Sequence, residues 1–491
     1  MMTQVIRQSQ AKTVLFHGSL YMVSSLLVKC GGALLLPVYT HHLSPAEYAV
    51  FSNLMAIGVA VGLVISLYVD HAYARFFFDE EHDALRLRRL FSTVFLFCMV
   101  WGIVTLTVAF FILRNPTARF LAVPGYPHVL LACVIPFVMQ MNALAAAHFR
   151  SQHRSTTVII PQVLAFLLGA CVSLVLLLRV HLGPLALLWG ALANACVVWA
   201  WYYRILWGEG LIALRFSTEL LGPVLAFSLG LLPLAASEWI SGFSDRLLLT
   251  HLASLAQSGI YSVAFEVGRV MNVFVMSLFT VYIPMVFAML KEDARKHIAR
   301  IERFQAFYFH ALAGLAFFLS ILAPEIYRLL VKERYQGGVG LVPIIVFAFA
   351  IGGMGRLYTT LLHYHKLTLL ISLGGVMHAV LNVTLNVLLI PHFGAEAAAW
   401  TKVVSILLVS AYYFGVSRKH QPLHLDWGAM RVTLATLGVC VAAFVGCKYA
   451  LGLSFWYLLA AKGAILFLAL AITWYSRFGE DLRRGLSRRA K

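Results

Sequence analysis

The chain has 491 residues, of which 61% are hydrophobic and 12% charged, with a mean hydropathy of +0.85. A soluble domain carries about 25% charged residues, so this composition excludes a soluble protein, a disordered chain, a disulfide scaffold and a fibrous repeat. The net charge of +18 comes from 38 Lys+Arg against 20 Asp+Glu, and its distribution decides whether it marks a nucleic-acid partner or membrane topology.

A transmembrane helix needs about 20 apolar residues. Runs of that length fall at 14–37, 46–69, 91–113, 128–149, 156–178, 184–204, 221–243, 256–283, 304–324, 341–361, 369–390, 395–416, 430–450 and 454–476. They are continuous rather than alternating, which predicts an all-α polytopic membrane protein of about 14 transmembrane helices and excludes a β-barrel. The first run carries Lys29 and has no small-residue cleavage site, so it reads as a retained helix rather than a signal peptide. Pro37, Pro136, Pro233, Pro284 and Pro324 fall within or beside the spans, where each permits a bend. All seven cysteines lie inside spans and read as small packing residues.

Sorted by alternate connections, 26 basic residues fall on the side of both termini and 8 on the other, with Lys29, Arg269, Lys402 and Lys462 inside spans. This bias predicts cytoplasmic termini. The stretch from Lys291 to Arg303 mixes both signs and reads as a solvated or interfacial helix. The tail from Arg483 to Lys491 has no interleaved aromatics, so anionic lipid headgroups are its expected partner and nucleic acid is not.

Two passages repeat. Ser19-Leu20, Thr40-His41-His42-Leu43 and Glu47-Tyr48 correspond to Ser228-Leu229, Thr250-His251-Leu252 and Ile260-Tyr261. The offset of about 210 residues equals six helices and so preserves orientation, as in parallel-repeat transporters. It predicts two pseudo-symmetric six-helix bundles around a central cavity, residues 1–215 and 216–420, with 421–491 supplying two extra helices and the basic tail.

A charge near the bilayer centre costs about 2.5–3.5 kcal/mol on insertion scales and usually faces a cavity or a partner. Lys29 and Arg269 suit an anion site in a central cavity, or else a structural pair or snorkelling. Glu266 lies one helical turn before Arg269 and is in register to pair with it. Glu238, Glu266, Asp245, Arg246 and Lys402 are candidates for cavity wall or ion coupling; Asp245 and Arg246 also fit an interfacial helix end. His41-His42 and His363-Tyr364-His365 lack metal-site spacing, so no metal is expected. No P-loop, GxSxG, HExxH or dinucleotide fingerprint occurs, so neither a cofactor nor ATP hydrolysis is expected and energy would come from a gradient.

Three passages carry a family resemblance. They are Leu36-Pro37-Val38-Tyr39-Thr40 with Leu43-Ser44-Pro45-Ala46-Glu47-Tyr48; Asp245-Arg246-Leu247-Leu248-Leu249 with Ser258-Gly259-Ile260-Tyr261-Ser262; and Leu381-Asn382, Leu385-Asn386 through Phe393-Gly394, then Ala397-Ala398-Ala399-Trp400. The Pro324 and Tyr335 stretch also fits. With these the chain resembles the polysaccharide (Wzx-type) flippases of the multidrug/oligosaccharidyl-lipid/polysaccharide exporter superfamily. Ala49 departs from the family's usual glycine. The resemblance implies a non-enzymatic, monomeric flippase of the bacterial inner membrane working by alternating access. Its implied substrate is an undecaprenyl-diphosphate-linked oligosaccharide, and its implied partners are membrane lipids, a polysaccharide polymerase and a chain-length regulator. The alternatives are a lipid II flippase, differing in headgroup, and a multidrug or cation antiporter, whose cavity would be acidic where the intramembrane charges here lean basic. A polymerase or ligase needs a large outer loop, and the longest here, 325–340, has about sixteen residues.

Overall fold

The computed structural model describes residues 31–213 and 215–420. Regular structure among the described residues is helical, without strands. The helices are α1 (31–42), α2 (Pro45–Ser66), α3 (Val69–Glu80), α4 (Ala84–Leu121), α5 (Gly125–Ser151), α6 (Ser155–Leu178), α7 (Pro184–Gly208), α8 (Thr218–Leu252), α9 (Leu255–Gly268), α10 (Val270–Leu330), α11 (Leu341–Tyr364) and α12 (Thr368–His420), with a 3-10 turn at Glu333–Gly338. Ten of the described helical stretches are long and apolar enough to cross a membrane. The last is two helices joined at Gly394, whose φ of +57° is comfortable only for glycine. Eleven predicted spans, from 46–69 to 395–416, thus fall on described helices. The span 14–37 is described only from residue 31, and 430–450 and 454–476 lie outside the described residues.

Local chemistry sets several boundaries. Pro45 opens α2, where Ser44 and Glu47 form a reciprocal capping box: Ser44 Oγ accepts the Glu47 N–H and the Glu47 carboxylate accepts the Ser44 N–H at 2.8 Å. The predicted span 46–69 does not end in a loop. Leu67 and Tyr68 take left-handed conformations (φ 42° and 61°), and the chain re-enters a helix, α3. The stretch Lys291–Arg303 is helical, so α10 runs without a loop from the end of one crossing into the next.

The chain folds into two compact units. The first holds the residues up to Val267 with Tyr327–Leu341 and Ser372–Ser405; the second holds Gly268–Ile326, Val342–Ile371 and the residues from Ile406. In the first, Leu54, Val61 and Ile65 of α2 pack with Val129, Leu131 and Ile135 of α5, and a second cluster gathers Tyr73, Phe77, Phe91, Phe149 and Tyr202. Its buried tyrosines spend their hydroxyls on internal acceptors: Tyr73 meets His148 Nδ1 at 2.7 Å and Tyr203 the Met141 carbonyl at 3.0 Å. In the second unit the buried Tyr308 donates to the Val275 carbonyl and the half-buried Tyr413 to that of Ile371.

On α4, Val100 (66% exposed), Phe111 (61%) and Ile112 (64%) face outward together. A soluble protein does not display such a continuous apolar stripe; here its surroundings are lipid.

The connection between α7 and α8 is pinned to α4. Ser92 Oγ donates to the Leu211 carbonyl (2.8 Å) and accepts the Ala213 N–H (2.9 Å), while Thr93 Oγ1 accepts the Ser217 N–H (3.1 Å). Ser92 and Thr93 are fully buried. Ser92→Ala would strand a carbonyl and an N–H, an expected loss of about 2 kcal/mol. Thermal unfolding in detergent checks this: a lower Tm is expected, and an unchanged Tm would show that the connection is held by other means.

Candidate functional site

Two charged residues sit side by side inside α8. Asp245 is 1% exposed and Arg246 6%. The apolar run stops near residue 243, which suggested an interfacial helix end, but α8 continues to Leu252. Both side chains are therefore in protein interior, where a charge persists only with partners.

Asp245 has a full set of them. Its Oδ1 accepts from Asn386 Nδ2 at 2.7 Å; its Oδ2 accepts the Tyr261 hydroxyl at 2.8 Å and Lys402 Nζ at 2.7 Å. Lys402, 4% exposed, also donates to the Ser241 carbonyl at 2.8 Å. A second layer orients the first. Asn386 Nδ2 reaches Asn382 Oδ1, which also accepts from Ser244 Oγ, and Thr401 Oγ1 donates to Asn386 Oδ1. The carboxylate and ammonium neutralise each other, and every direct contact to them is charge-assisted.

Arg246 is held differently. Its guanidinium lies over Phe265 (4.7 Å) and Phe243 (5.5 Å), and Nη2 is 3.8 Å from Glu266 Oε1. Lys402 shares the Phe265 ring at 5.3 Å. One aromatic face thus supports two cations, each with its own carboxylate.

The residues singled out from sequence are placed as follows. Asp245, Arg246, Glu266 and Lys402 form one network built on α8, α9 and α12. Glu238 is exposed on α8. The helix predicted over 256–283 breaks: α9 ends at Gly268 and α10 starts at Val270, so Arg269 occupies the turn between them. Glu266 faces Arg246, its Oε1 3.8 Å from Arg246 Nη2. Lys29 and Lys462 lie outside the described residues. Asn382, Asn386, Tyr261 and Thr401 were not assigned roles from sequence. Their signal was present: two asparagines four residues apart share one face of an otherwise apolar helix.

Known proteins agree with this architecture. A family model described as "Polysaccharide biosynthesis protein" matches residues 43–340. Among solved structures, the lipid II flippase MurJ in an inward closed conformation superposes with a TM-score of 0.72 at 10% identity, over 93% of this chain and 98% of its own. An inward-facing multidrug resistance MATE family transporter of the MOP superfamily gives 0.67 at 12% identity, over 80% and 94%. An outward-facing transporter of that description gives 0.61 at 13%, over 82% and 95%. No curated protein sequence matches the chain. On a multi-helix fold shared with MATE transporters and the lipid II flippase, the chain is a membrane protein that belongs to the polysaccharide biosynthesis protein family.

Proposed function

We propose that the protein is a flippase that moves an undecaprenyl-diphosphate-linked oligosaccharide from the cytoplasmic to the outer face of the bacterial inner membrane. It would work by alternating access driven by an ion gradient or the membrane potential, without enzymatic turnover. The family match over residues 43–340 is the observation that carries this reading. Lys29 and Arg269, both inside predicted spans, also support it, because a diphosphate headgroup is anionic.

In this reading residues 1–215 and 216–420 act as two lobes and 421–491 as an appendage, with both termini cytoplasmic. Lys29 and Arg269 hold the diphosphate. Asp245, Arg246, Glu266 and Lys402 pair among themselves, so they contribute little net field to a cavity; their role is to fix α8, α9 and α12 in one arrangement. Glu238, on the exposed face of α8, is left as the acidic candidate for sugar hydroxyls or proton coupling. A polymerase and a chain-length regulator would act on the product.

Deletion in the native host tests the reading. Surface polysaccharide should fall and lipid-linked intermediates should accumulate on the inner face. Normal surface glycan with no accumulation would refute it. A chain serving lipid II would instead show loss of cell-wall synthesis with surface glycan intact.

A further inference from the structure

The break between α2 and α3 falls where the sequence supplies neither glycine nor proline. Leu67 and Tyr68 nevertheless both take the left-handed conformation, with φ of 42° and 61°. That conformation is unfavourable for a residue with a Cβ, and strain of this kind gathers at functional sites. The break is held locally, with Ser66 Oγ accepting the Tyr68 N–H at 3.1 Å. Its effect is to lay Tyr68 on His71: the two rings stack with centroids 4.2 Å apart and planes 11° from parallel.

His71 is oriented from behind. Its Nδ1 lies 3.1 Å from Asp70 Oδ2, and Gln140 Nε2 on α5 lies 3.5 Å from Asp70 Oδ1. Asp70 is buried, whereas the His71 side chain is 56% exposed. The carboxylate thus sets the tautomer and plane of a ring whose other side is open. Two further charged groups lie within electrostatic reach of His71: Arg150 on α5 and Glu238, exposed on α8. Glu238 and Asp70 are likewise within reach of Tyr68. All these residues belong to the first unit. Trp101 Nε1 donates to the Val64 carbonyl at 2.9 Å, which sets this end of α2 level with the apolar run 91–113 of α4. An open polar group at that depth does not face hydrocarbon, so the free side of His71 borders water.

A stacked ring pair with an open face and carboxylates beside it suits a sugar. The C–H face of a pyranose packs on an aromatic ring, and its hydroxyls donate to carboxylate oxygens. An anion would meet two carboxylates, Asp70 and Glu238, against the single guanidinium of Arg150. A metal ion would find Asp70 Oδ2 engaged by His71, and no cluster of three metal-ligating side chains occurs among the described residues.

We propose that Tyr68, His71 and Glu238 form a subsite for a neutral sugar ring of the transported glycan. The sugar stacks on the His71–Tyr68 pair and donates a hydroxyl to Glu238, while Asp70 and Gln140 hold the platform in place. The proposal rests on the flippase reading and adds which part of the substrate this cluster recognises.

The test uses the full-length protein purified in detergent. The probe is the lipid-linked oligosaccharide isolated from the deletion strain, carrying a fluorophore at the end of its glycan. The competitor is the unlabelled glycan released from it by mild acid, with neither lipid nor phosphate. Millimolar released glycan should weaken binding of the probe to the parent protein. Tyr68→Ala and His71→Ala should each raise the probe Kd about tenfold and make it indifferent to the released glycan. Tyr68→Phe keeps the ring and should bind like the parent. Glu238→Gln, at an exposed position, leaves the fold intact and should raise the Kd about threefold. Undecaprenyl diphosphate without sugar should bind every variant as it binds the parent, an outcome that a general loss of structure would not leave. A parent indifferent to the released glycan, or alanine variants that bind the probe like the parent or lose both lipids alike, overturn the subsite while the flippase reading stands. A parent that binds neither lipid refutes the flippase reading and the subsite with it.

Discussion

Lys402→Met should be among the most destabilising single substitutions in the described part of the chain. It removes the ammonium from a site where Asp245 is 1% exposed, leaving a carboxylate with only the Asn386 amide and the Tyr261 hydroxyl. Breaking a buried pair from one side costs about 3–5 kcal/mol, because the remaining charge stays desolvated. Asp245→Asn should cost a similar amount, since Lys402 would lose its carboxylate and keep the Ser241 carbonyl and the Phe265 ring. The double variant Asp245→Asn/Lys402→Met removes both charges and should recover much of the loss. The readout is the Tm of the purified protein together with the amount that survives solubilisation. Additive losses in the double variant, or single variants that melt like the parent, would show that the pair does not hold α8 to α12.

The second large effect concerns transport rather than stability. Lys29→Ala and Arg269→Ala should each abolish export of surface glycan while the protein remains in the membrane at normal level. Losing a charge-assisted contact to a phosphate costs about 1.5–3 kcal/mol, roughly 10- to 100-fold in the affected step. Arg269→Lys keeps the charge and loses the two-pronged geometry, so it should retain part of the activity. Full export in both alanine variants would remove the anion site from the account. Lower protein levels in step with lower export would assign these residues a structural role instead.

The membrane spans were legible because lipid imposes a requirement that composition records directly: continuous apolar runs of helical length. The places where reading by hydropathy fell short share one cause. Hydropathy reports where a helix is greasy, not where its hydrogen bonds stop. Thus α8 runs through Asp245 and Arg246 to Leu252, α2 breaks at the non-glycine residues Leu67 and Tyr68, and the run at 256–283 breaks at Arg269. The family passages were legible as motifs, and Asn382, Asn386 and Tyr261 all stand in them. Their common attachment to Asp245 was not, because it depends on α12 returning beside α8 and α9. Lys402 shows the same limit. It was visible as an intramembrane charge, while its carboxylate partner is fixed by tertiary packing alone.

The central claim is that this chain moves a diphosphate-linked lipid oligosaccharide across a bilayer, and reconstitution tests it most directly. The purified full-length protein is placed in proteoliposomes with an undecaprenyl-diphosphate-linked fluorescent oligosaccharide in both leaflets, and the fraction reachable by an impermeant quencher is followed over time. The account predicts that the protected pool becomes accessible in the presence of the protein, and far more slowly with Arg269→Ala or with empty liposomes. Exchange no faster than in empty liposomes, with and without an imposed ion gradient, would contradict it.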